Sequence, residues 1–445
     1  MSNVLNQLKN QGFLKCSGFN FIGNVTKVVG STIEVEGIRA SLGARCVIES
    51  SRSVLADVIG FKDGRTILQP LESAHGVTPS ANVRLIQTTA SIKITDEMIG
   101  RVIDPLGNVV MGEDIKNNLP KVEKPIANTP LPVANRDVIS EPFDTGIKAI
   151  NAMFPIGFGQ RVGLFAGTGV GKSVLQSMIT KFSEADVVVI GLVGERGREV
   201  YEFYHETLDD EARTKSIIVS APADQSAILR LQCPEVATSI AEYYRDRGMK
   251  VLLLIDSLTR YAQAQRDVGL ASGEPPVTKG YPPSAFSKLP ALVERAGKVK
   301  GGASITAFYT VLTEGDDMND PIADAARGVL DGHIVLSREL ASRGLYPALD
   351  VPSSISRLAD KLLAPSQFKL VNELKSYYST LKDNAELISI GLIEKGKNKK
   401  LDQAIRHEKH LYGMIAQGIA ESFNIKESSQ KLFELSLKLK DLKRG

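Results

Sequence analysis

The chain has 445 residues, enough for about three domains and for a substantial hydrophobic core. Its 54 lysines and arginines stand against 51 aspartates and glutamates, and this net charge of +3 disfavours a dedicated nucleic-acid-binding protein, which usually carries a basic patch or tail. Hydrophobic residues at 43% and charged residues at 24% are ordinary globular values and argue against wholesale disorder.

The cysteines and the apolar runs indicate the cellular compartment of the protein. Cys16, Cys46 and Cys233 are odd in number and far apart, so they predict neither a disulfide framework nor a metal site, and a reducing compartment follows. The longest apolar run, Val187–Val193, is too short to span a membrane, and the first ten residues lack the apolar core of a signal peptide. We therefore expect a cytoplasmic protein, with a peripheral position on a membrane machine left open.

The first 92 residues divide into two predicted parts. In residues 1–19, Val4, Leu5 and Leu8 recur at helical spacing, which fits either a frayed terminus or a short helix that docks a partner. Residues 20–92 show short alternating runs between turn residues, which predict a small antiparallel β-barrel. The predicted barrel strands are 24–29, 32–38, 54–61, 66–71 and 83–87.

The rest of the chain is predicted to form a central α/β domain and a helical domain. GRVIDPLGNVVMG (100–112) is interpreted as a turn region, and the proline-rich stretch 117–142 as an extended crossover. Within 93–365, continuous apolar runs alternate with helical segments, which is typical of a parallel sheet covered on both faces. Residues 366–445 lose the strand pattern and predict a C-terminal helical domain. The central runs are 161–166, 187–193, 216–220, 251–255, 304–311 and 333–337, and the helical ones include 404–419 and 432–442.

The strongest chemical signal is AGTGVGKS (166–173), which follows an apolar run and precedes a helical pattern, as a phosphate-binding loop requires. Its glycines let backbone N–H groups and the helix N-terminus face an anion. Lys172 would reach the β- and γ-phosphates of ATP, and Ser173 would bind Mg²⁺. The fold class expected is a RecA-like P-loop NTPase core between the barrel and the helical domain. The predicted nucleotide-binding residues of this loop are Gly167, Thr168, Gly169, Val170, Gly171, Lys172 and Ser173.

Two carboxylates stand at the ends of predicted strands. VLLLID places Asp256 at a strand tip, where it would hold Mg²⁺ or its water ligands, or would only cap the next helix. VVVIGLVGERGRE ends in Glu195 and Arg196, and Glu195 could polarise the attacking water if it is not merely solvated.

Residues 20–365 resemble the catalytic chains of the rotary ATPase superfamily, and PALDVPSSIS (347–356) matches a pattern shared by ATP synthase α and β chains. The resemblance implies that Glu195 is the general base, since non-catalytic α-type chains have glutamine there. It also implies that Arg196 and Arg260, in LLLIDSLTR, support the γ-phosphate or its water.

Two further roles follow from the same resemblance. Arg357 in SSISRLAD matches the arginine finger that the family projects into a neighbour's nucleotide site. Tyr346 in GLYPALD matches the tyrosine that stacks on adenine, while the second adenine contact, expected around AQGIAESF (416–423), stays undetermined.

The branch of the superfamily is indicated by longer stretches. Residues 260–297 and 314–338 are similar to the export ATPases of flagellar and type III secretion systems, and SAFSKLPALVERAG favours the flagellar branch. The basic IEKGKNKK (393–400) stands where an ATP synthase β chain would have an acidic loop, and there is no room before Ala166 for the large insertion of V-type chains.

The resemblance also implies partners. Because Glu195 and Arg357 occur on one chain, identical subunits could complete one another's sites, and a homohexamer is expected. The family further implies a stator-like regulatory protein at the N-terminus, a coiled-coil stalk in the pore, export chaperone–substrate complexes and a membrane export gate. We also expect the protein to be cytoplasmic and peripherally associated with the inner membrane, and to bind no nucleic acid.

Three rival functions remain at this point. An RNA translocase of the Rho type should carry exposed aromatic and basic residues in its barrel, where only Phe21 and Phe61 are aromatic within 20–90. A catalytic subunit of a rotary ATP synthase would need a non-identical α-type partner. A nucleotide-binding scaffold would not need Lys172, Glu195 and Asp256 together. The choice between flagellar and virulence-type export stays open.

Overall fold

The computed structural model describes residues 22–116, 120–313, 320–392 and 397–441. The expected partner-binding segment 1–19 and the first half of the basic stretch 393–400 lie outside these residues. So does the part of the export-ATPase resemblance within 314–319. Within the described ranges, no helix combines the length and the apolar character needed to cross a membrane.

Six antiparallel strands form a closed barrel at the start of the described chain, in the order β1-β2-β5-β4-β3-β6. Strand β3 is absent from the predicted set because Arg45, at its first position, interrupts the apolar pattern. In the fold, Arg45 is nonetheless buried, since its guanidinium lies 2.8 Å from the buried carboxylate of Asp57. The strands are β1 (Ile22–Val29), β2 (Thr32–Glu36), β3 (Arg45–Glu49), β4 (Ser53–Lys62), β5 (Arg65–Pro70) and β6 (Asn82–Gln87).

Short strands lead from the barrel into the central domain. Strand β7 pairs with β10, and β11 pairs with β12. The stretch predicted as a turn region holds β8 and β9, which pair around a turn and extend the central sheet, because the buried Val102 and Ile103 align with Ile218 and Val219. The strands are β7 (Ser91–Ile94), β8 (Val102–Ile103), β9 (Val109–Met111), β10 (Val122–Pro125), β11 (Pro142–Phe143) and β12 (Ile156–Gly157).

A ten-stranded sheet forms the centre of the molecule, in the order β20-β19-β13-β18-β16-β14-β15-β8-β9, with β17 paired to β18. The seven strands from β19 to β8 in this order are parallel, which confirms the predicted α/β core. Its further strands are β13 (Arg161–Ala166), β14 (Val187–Val193), β15 (Ser216–Ala221), β16 (Lys250–Asp256), β17 (Gly297–Lys298), β18 (Ser304–Leu312), β19 (Gly332–Val335) and β20 (Ile355–Ser356).

Helices cover both faces of this sheet. One face packs against α1, α2 and the C-terminal helices, and the other against α5 to α8. The central helices are α1 (Lys148–Met153), α2 (Lys172–Phe182), α3 (Gly197–Glu202), α4 (Asp210–Thr214), α5 (Ala227–Asp246), α6 (Leu258–Ala271), α7 (Pro283–Val293), α8 (Pro321–Val329) and α9 (Arg338–Ser342). A π-helix (Phe203–Thr207) continues α3, and short 3₁₀ helices occupy Asp96–Met98 and Val133–Asn135.

The remaining helices form the C-terminal domain. Helix α11 begins at Pro365, a favoured first helical position, and buries an apolar stripe that includes Leu374, Tyr378 and Leu381. The predicted helix over 404–419 is instead two helices that meet at His407, the second of which ends at Ile415, and the chain continues as a loop toward the central domain. The helices are α10 (Ala359–Leu362), α11 (Pro365–Asp383), α12 (Ala385–Ser389), α13 (Lys399–Arg406), α14 (Glu408–Ile415) and α15 (Ile425–Asp441).

A buried polar cluster joins the barrel to the central domain. Arg45 Nη2 donates to Gln232 Oε1 on α5 at 3.0 Å, and Gln232 Nε2 donates to Asp57. Ser226, which caps α5, donates to the carbonyl of Leu71, the residue that directly follows barrel strand β5. These contacts fix helix α5 against the barrel at both its first and its second turn.

Candidate active site

A cavity of about 1120 Å³ opens at the carboxyl edge of the parallel sheet, where β13, β14 and β16 end. Ligands of open α/β sheets bind at this edge, because loops from neighbouring strands converge there. The lining residues come from the predicted phosphate loop, from the segment after β14, from the tip of β16 and from two segments near the C-terminal domain. They include Gly167, Lys172, Ser173, Glu195, Arg196, Glu199, Asp256, Arg260, Tyr346, Gln417 and Ile419.

The phosphate loop has the backbone shape that its glycines predict. Gly169 and Gly171 have φ angles of 77° and 85°, a region that residues with a side chain rarely adopt. Gly171 caps α2, an 11-residue helix whose first residues, Lys172, Ser173 and Val174, line the cavity. Thr168 also lines the cavity, whereas Val170 is only 1% exposed and packs into the core beneath the loop.

Three charged side chains predicted from separate motifs lie together behind this loop. Lys172 Nζ lies 2.7 Å from Asp256 Oδ1 and 3.7 Å from Glu195 Oε1. Asp256 is the last residue of β16 and is buried, so its carboxylate is held in one place by the sheet. Glu195 follows β14, the neighbouring strand, and reaches the same ammonium group from the other side.

Burial sets the protonation chemistry of this group. It raises the pKa of Glu195 to about 7, against the attraction of Lys172, and the charges of Asp256 and Glu199 act in the same direction. Burial disfavours the charged form of Lys172, but Asp256 and Glu195 outweigh it, and the pKa of this ammonium lies above its ordinary value. Glu195 Oε1 is buried and has no hydrogen-bond partner among the described residues.

A carboxyl group with a pKa near neutrality and a free acceptor atom can exchange a proton with water at physiological pH. Its position beside the phosphate loop directs that chemistry toward the terminal phosphate of a bound nucleotide. Glu199 was not predicted as a site residue. The signal was present in VGERGRE, because Glu199 stands in the first turn of the short helix α3 that directly follows the segment with Glu195.

The two predicted arginines have different surroundings. Arg260 Nη1 donates to Gln263 at 3.1 Å, while its buried Nε has no partner among the described residues. Its side chain packs against Gly194, next to Glu195. The Arg196 side chain is 85% exposed and lies 3.7 Å from Glu199. Arg260 is therefore a fixed group of the cavity, and Arg196 a group at its rim.

The other end of the cavity is apolar and more open. Tyr346 lines it with 43% exposure, and its ring carbons lie 3.1 Å from where a Cβ on Gly171 would be. From the C-terminal domain, Ile419 lines the same end and is 65% exposed. The C-terminal loop thus supplies an aliphatic side chain rather than a second aromatic ring. Flat apolar surfaces of this kind accept a purine base.

Arg357 is placed at the opposite edge of the sheet. Its backbone N–H donates to Asp331 O, and the carboxylate of Asp331 pairs with Arg161. Arg161 is the first residue of β13, whereas the phosphate loop begins at the last residue of that strand. Six residues of strand separate the two edges by roughly 17 Å, beyond the reach of an arginine side chain. Arg357 is exposed, and its Nη2 donates to the carbonyl of Arg327 at 2.9 Å.

The cavity offers oxygen ligands suited to Mg²⁺. No group of three or more histidine, cysteine or acidic side chains able to hold a metal occurs in the described parts of the chain. Mg²⁺ in nucleotide sites needs only one or two protein oxygens, because phosphates and water supply the rest. The Ser173 hydroxyl and the Asp256 carboxylate both line the cavity, and Glu195 Oε1 is an unpartnered acceptor beside them. These residues fit the ion.

Three family models match consecutive parts of the chain. Residues 25–85 match the β-barrel domain of the ATP synthase alpha/beta family. Residues 146–356 match the nucleotide-binding domain of the same family. Residues 363–434 match the C-terminal domain of the type III secretion ATPase EscN. Each match falls on one of the structural units described above.

Individual relatives cover nearly the whole chain. The flagellum-specific ATP synthase of Pseudomonas aeruginosa is 47% identical over 93% of this chain and 92% of its own length. That of Bacillus subtilis is 41% identical over 96% of this chain and 99% of its own. The assembled ATPase EscN of enteropathogenic Escherichia coli superimposes with a TM-score of 0.87 at 39% identity, covering 93% of this chain and 99% of EscN. EscN in complex with its central stalk EscO gives 0.84 at 38% identity, with the same coverage.

Proposed function

The chain belongs to the flagellum-specific ATP synthases of the ATP synthase α/β family, and we propose how its residues divide the work of ATP hydrolysis. It is an ATPase of the flagellar and type III protein-export type. The relatives and solved structures named above are all of this type, so the RNA-translocase and scaffold interpretations gain no support. The finer assignments below rest on the geometry of the cavity.

The phosphate loop and Lys172 bind the phosphates of ATP, and Tyr346 and Ile419 accept the adenine. Ser173 and Asp256 would hold Mg²⁺, which neutralises charge on the β- and γ-phosphates. The 2.7 Å contact between Lys172 Nζ and Asp256 Oδ1 keeps the phosphate-binding and Mg²⁺-binding groups side by side. Arg260 and Arg196 support the terminal phosphate from the fixed wall and from the rim.

Glu195 accepts a proton from the attacking water as the general base. The single observation that carries this role is its buried, unpartnered Oε1 next to Lys172, on a carboxyl whose pKa is about 7. At neutral pH a large fraction of this group is ionised, yet its conjugate acid is readily formed. A γ-phosphate bound by the phosphate loop would lie at the same end of the parallel strands as Glu195.

Arg357 acts on a neighbouring subunit rather than on its own. Its distance from its own phosphate loop supports this assignment, because a stabilising arginine must touch the transferring phosphoryl group. A closed ring gives each subunit one neighbour at the cavity and one at Arg357. We propose a homohexamer, in line with the assembled state of EscN.

Mixed subunits test the base and the ring together. We expect Glu195→Gln and Arg357→Ala each to lose ATPase activity by about 10²-fold or more. A mixture of the two variants should regain activity, because some sites then combine an intact Glu195 from one subunit with an intact Arg357 from the other. Glu202→Gln, which alters an exposed carboxylate paired with Arg198, is the control and should keep the wild-type rate.

Two outcomes would contradict these assignments. A Glu195→Gln enzyme as fast as the wild type would remove the base. A mixture no more active than its components, at concentrations where light scattering shows a ring, would place the action of Arg357 within its own subunit or outside catalysis.

The partners follow the same reasoning. EscN forms a complex with its central stalk EscO, and we propose a corresponding coiled-coil stalk in the pore of this ring. We also propose a stator-like regulatory protein at the N-terminus, chaperone–substrate complexes as clients, and a peripheral position at a membrane export gate in the cytoplasm. Retention of purified stalk and stator-like proteins by the full chain, with and without an ATP analogue, tests the first two.

A further inference from the structure

The base end of the cavity is built from two chain segments that have no regular secondary structure of their own. One is the stretch around Tyr346, and the other is the loop 416–423 that follows α14. A loop without a helical or strand ladder needs other hydrogen bonds to hold its shape. For loop 416–423, these bonds come from the segment 144–151, which leads into α1 of the central domain.

Lys148 is the first of two side chains that hold this loop. Its Nζ donates to the carbonyls of Gly413 at 2.9 Å and Ala416 at 2.8 Å, which are free acceptors at the C-terminal end of α14. The ammonium lies 5.0 Å from the centre of the Phe423 ring at the far end of the loop. A cation at a helix C-terminus is favourable, and here it fixes the point where the loop begins.

Gln417 is the second. Its backbone N–H donates to the carbonyl of Tyr346, and its Oε1 accepts from the backbone N–H of Lys148 at 2.7 Å across 269 residues of sequence. Its Nε2 donates to the carbonyls of Gly146 and Glu421, each at 2.9 Å. Every hydrogen-bonding group of this buried amide is therefore engaged, and both walls of the base end meet at one residue.

We propose that Lys148 and Gln417 are positioning residues that set the affinity of the cavity for the nucleotide base. They act through Ile419 and Tyr346, which would touch the adenine, and they leave the phosphate chemistry untouched. The inference rests on the proposed function, since it takes the apolar end as the adenine site. Base recognition is thus built from contacts between the central domain and the C-terminal domain.

The test compares ligands that share phosphates but differ in the base. For Lys148→Met we expect the KM for ATP and the inhibition constant of ADP to rise together, by about tenfold, with kcat changed less than about twofold. The inhibition constant of inorganic tripolyphosphate, which has no base, should stay at the wild-type value. Lys148→Arg can still donate to two carbonyls and should restore most of the affinity for ATP.

A matched control separates base positioning from the mere loss of a buried lysine. Lys375 also lies at the junction with the C-terminal domain, where its Nζ donates to Ser354 O at 3.2 Å and lies 4.6 Å from the centre of the Phe154 ring. Neither of these contacts involves loop 416–423. Lys375→Met should therefore leave the KM for ATP unchanged.

Gln417→Glu provides a second variant in case Lys148→Met does not fold, as judged by circular dichroism and thermal unfolding. It keeps the size of the side chain but cannot donate to the two carbonyls, so the same selective loss of ATP and ADP affinity is expected. Equal weakening of tripolyphosphate, or unchanged ADP binding in both folded variants, would overturn the proposal. A wild-type chain without ATPase activity would instead refute the proposed function.

Discussion

The two ends of the nucleotide cavity are built on opposite principles. At the phosphate end, buried charges from the tips of two neighbouring strands are held against Lys172, and the sheet fixes their geometry. At the base end, Tyr346 and Ile419 remain exposed, and the loop that carries Ile419 is tied to the central domain by hydrogen bonds from Lys148 and to Gly146. On the proposed assignments, this contrast separates the part of the site that carries the chemistry from the part that sets the affinity for the base.

This difference makes opposite kinetic predictions for the two ends. A change at the phosphate end should lower kcat, because it removes an interaction that strengthens in the transition state. A change at the base end should raise KM alone, because the base contacts are the same before and during reaction. The following experiments test whether kcat and KM respond separately to changes at the two ends.

The largest effect is expected from Lys172→Ala. Loss of the ammonium removes the charge that faces the phosphates and leaves Asp256 and Glu195 without their shared cation, so kcat should fall by about 10²–10³-fold. Steady-state ATP hydrolysis measures it. Lys181→Ala on the same helix, where the lysine pairs with Asp209 near the surface, should keep the wild-type rate. A Lys172→Ala enzyme with a raised KM and an unchanged kcat would contradict the prediction that the two ends of the cavity affect different kinetic constants.

An intermediate effect is expected from Tyr346→Ala. Stacking of a base on an aromatic ring contributes about 1–3 kcal/mol, so KM for ATP should rise by about tenfold while kcat stays nearly unchanged. Tyr346→Phe keeps the ring and should behave as the wild type. A large loss of kcat in Tyr346→Ala would show that the ring, which packs on Gly171, also supports the phosphate loop.

The smallest effect is a shift in pH dependence. Glu195 is active as a base only when ionised, so kcat/KM should rise with pH through about 7 in the wild type. The neighbouring Glu199 carboxylate helps to raise that pKa, so Glu199→Gln should move the midpoint to lower pH. Glu202→Gln, one turn away, should leave it in place. An unchanged midpoint in Glu199→Gln would assign the raised pKa to burial and Asp256 without Glu199.

Much of the phosphate end could be predicted from sequence because its signals are local. The loop 166–173 and the strand-terminal Asp256 can each be recognised from fewer than ten consecutive residues. A parallel sheet brings the carboxyl ends of its strands together, so their proximity follows from the fold class. Glu195 needed the family resemblance, because a Glu-Arg pair after a strand is as often solvated as catalytic.

The base end could not be predicted in the same way. The apolar residues before and within AQGIAESF suggested that a helix continued to Ile419, whereas α14 ends at Ile415. Lys148, more than 260 residues earlier in the chain, donates to the carbonyls of Gly413 and Ala416 where this helix ends and the loop begins. Strand β3 was missed for a related reason, since the burial of Arg45 depends on Asp57 on the next strand and on Gln232 far along the chain.

The buried cluster of Arg45, Asp57 and Gln232 has a mechanical consequence. Helix α5, which carries Gln232, packs on β14, β15 and β16; β16 ends at Asp256, and Glu195 lies two residues after the end of β14. A force applied to the barrel therefore passes along a stiff, close-packed path to the very strands that hold the reacting groups. Packing thus couples the barrel to the cavity, so that a displacement of the barrel would shift residues that line the cavity.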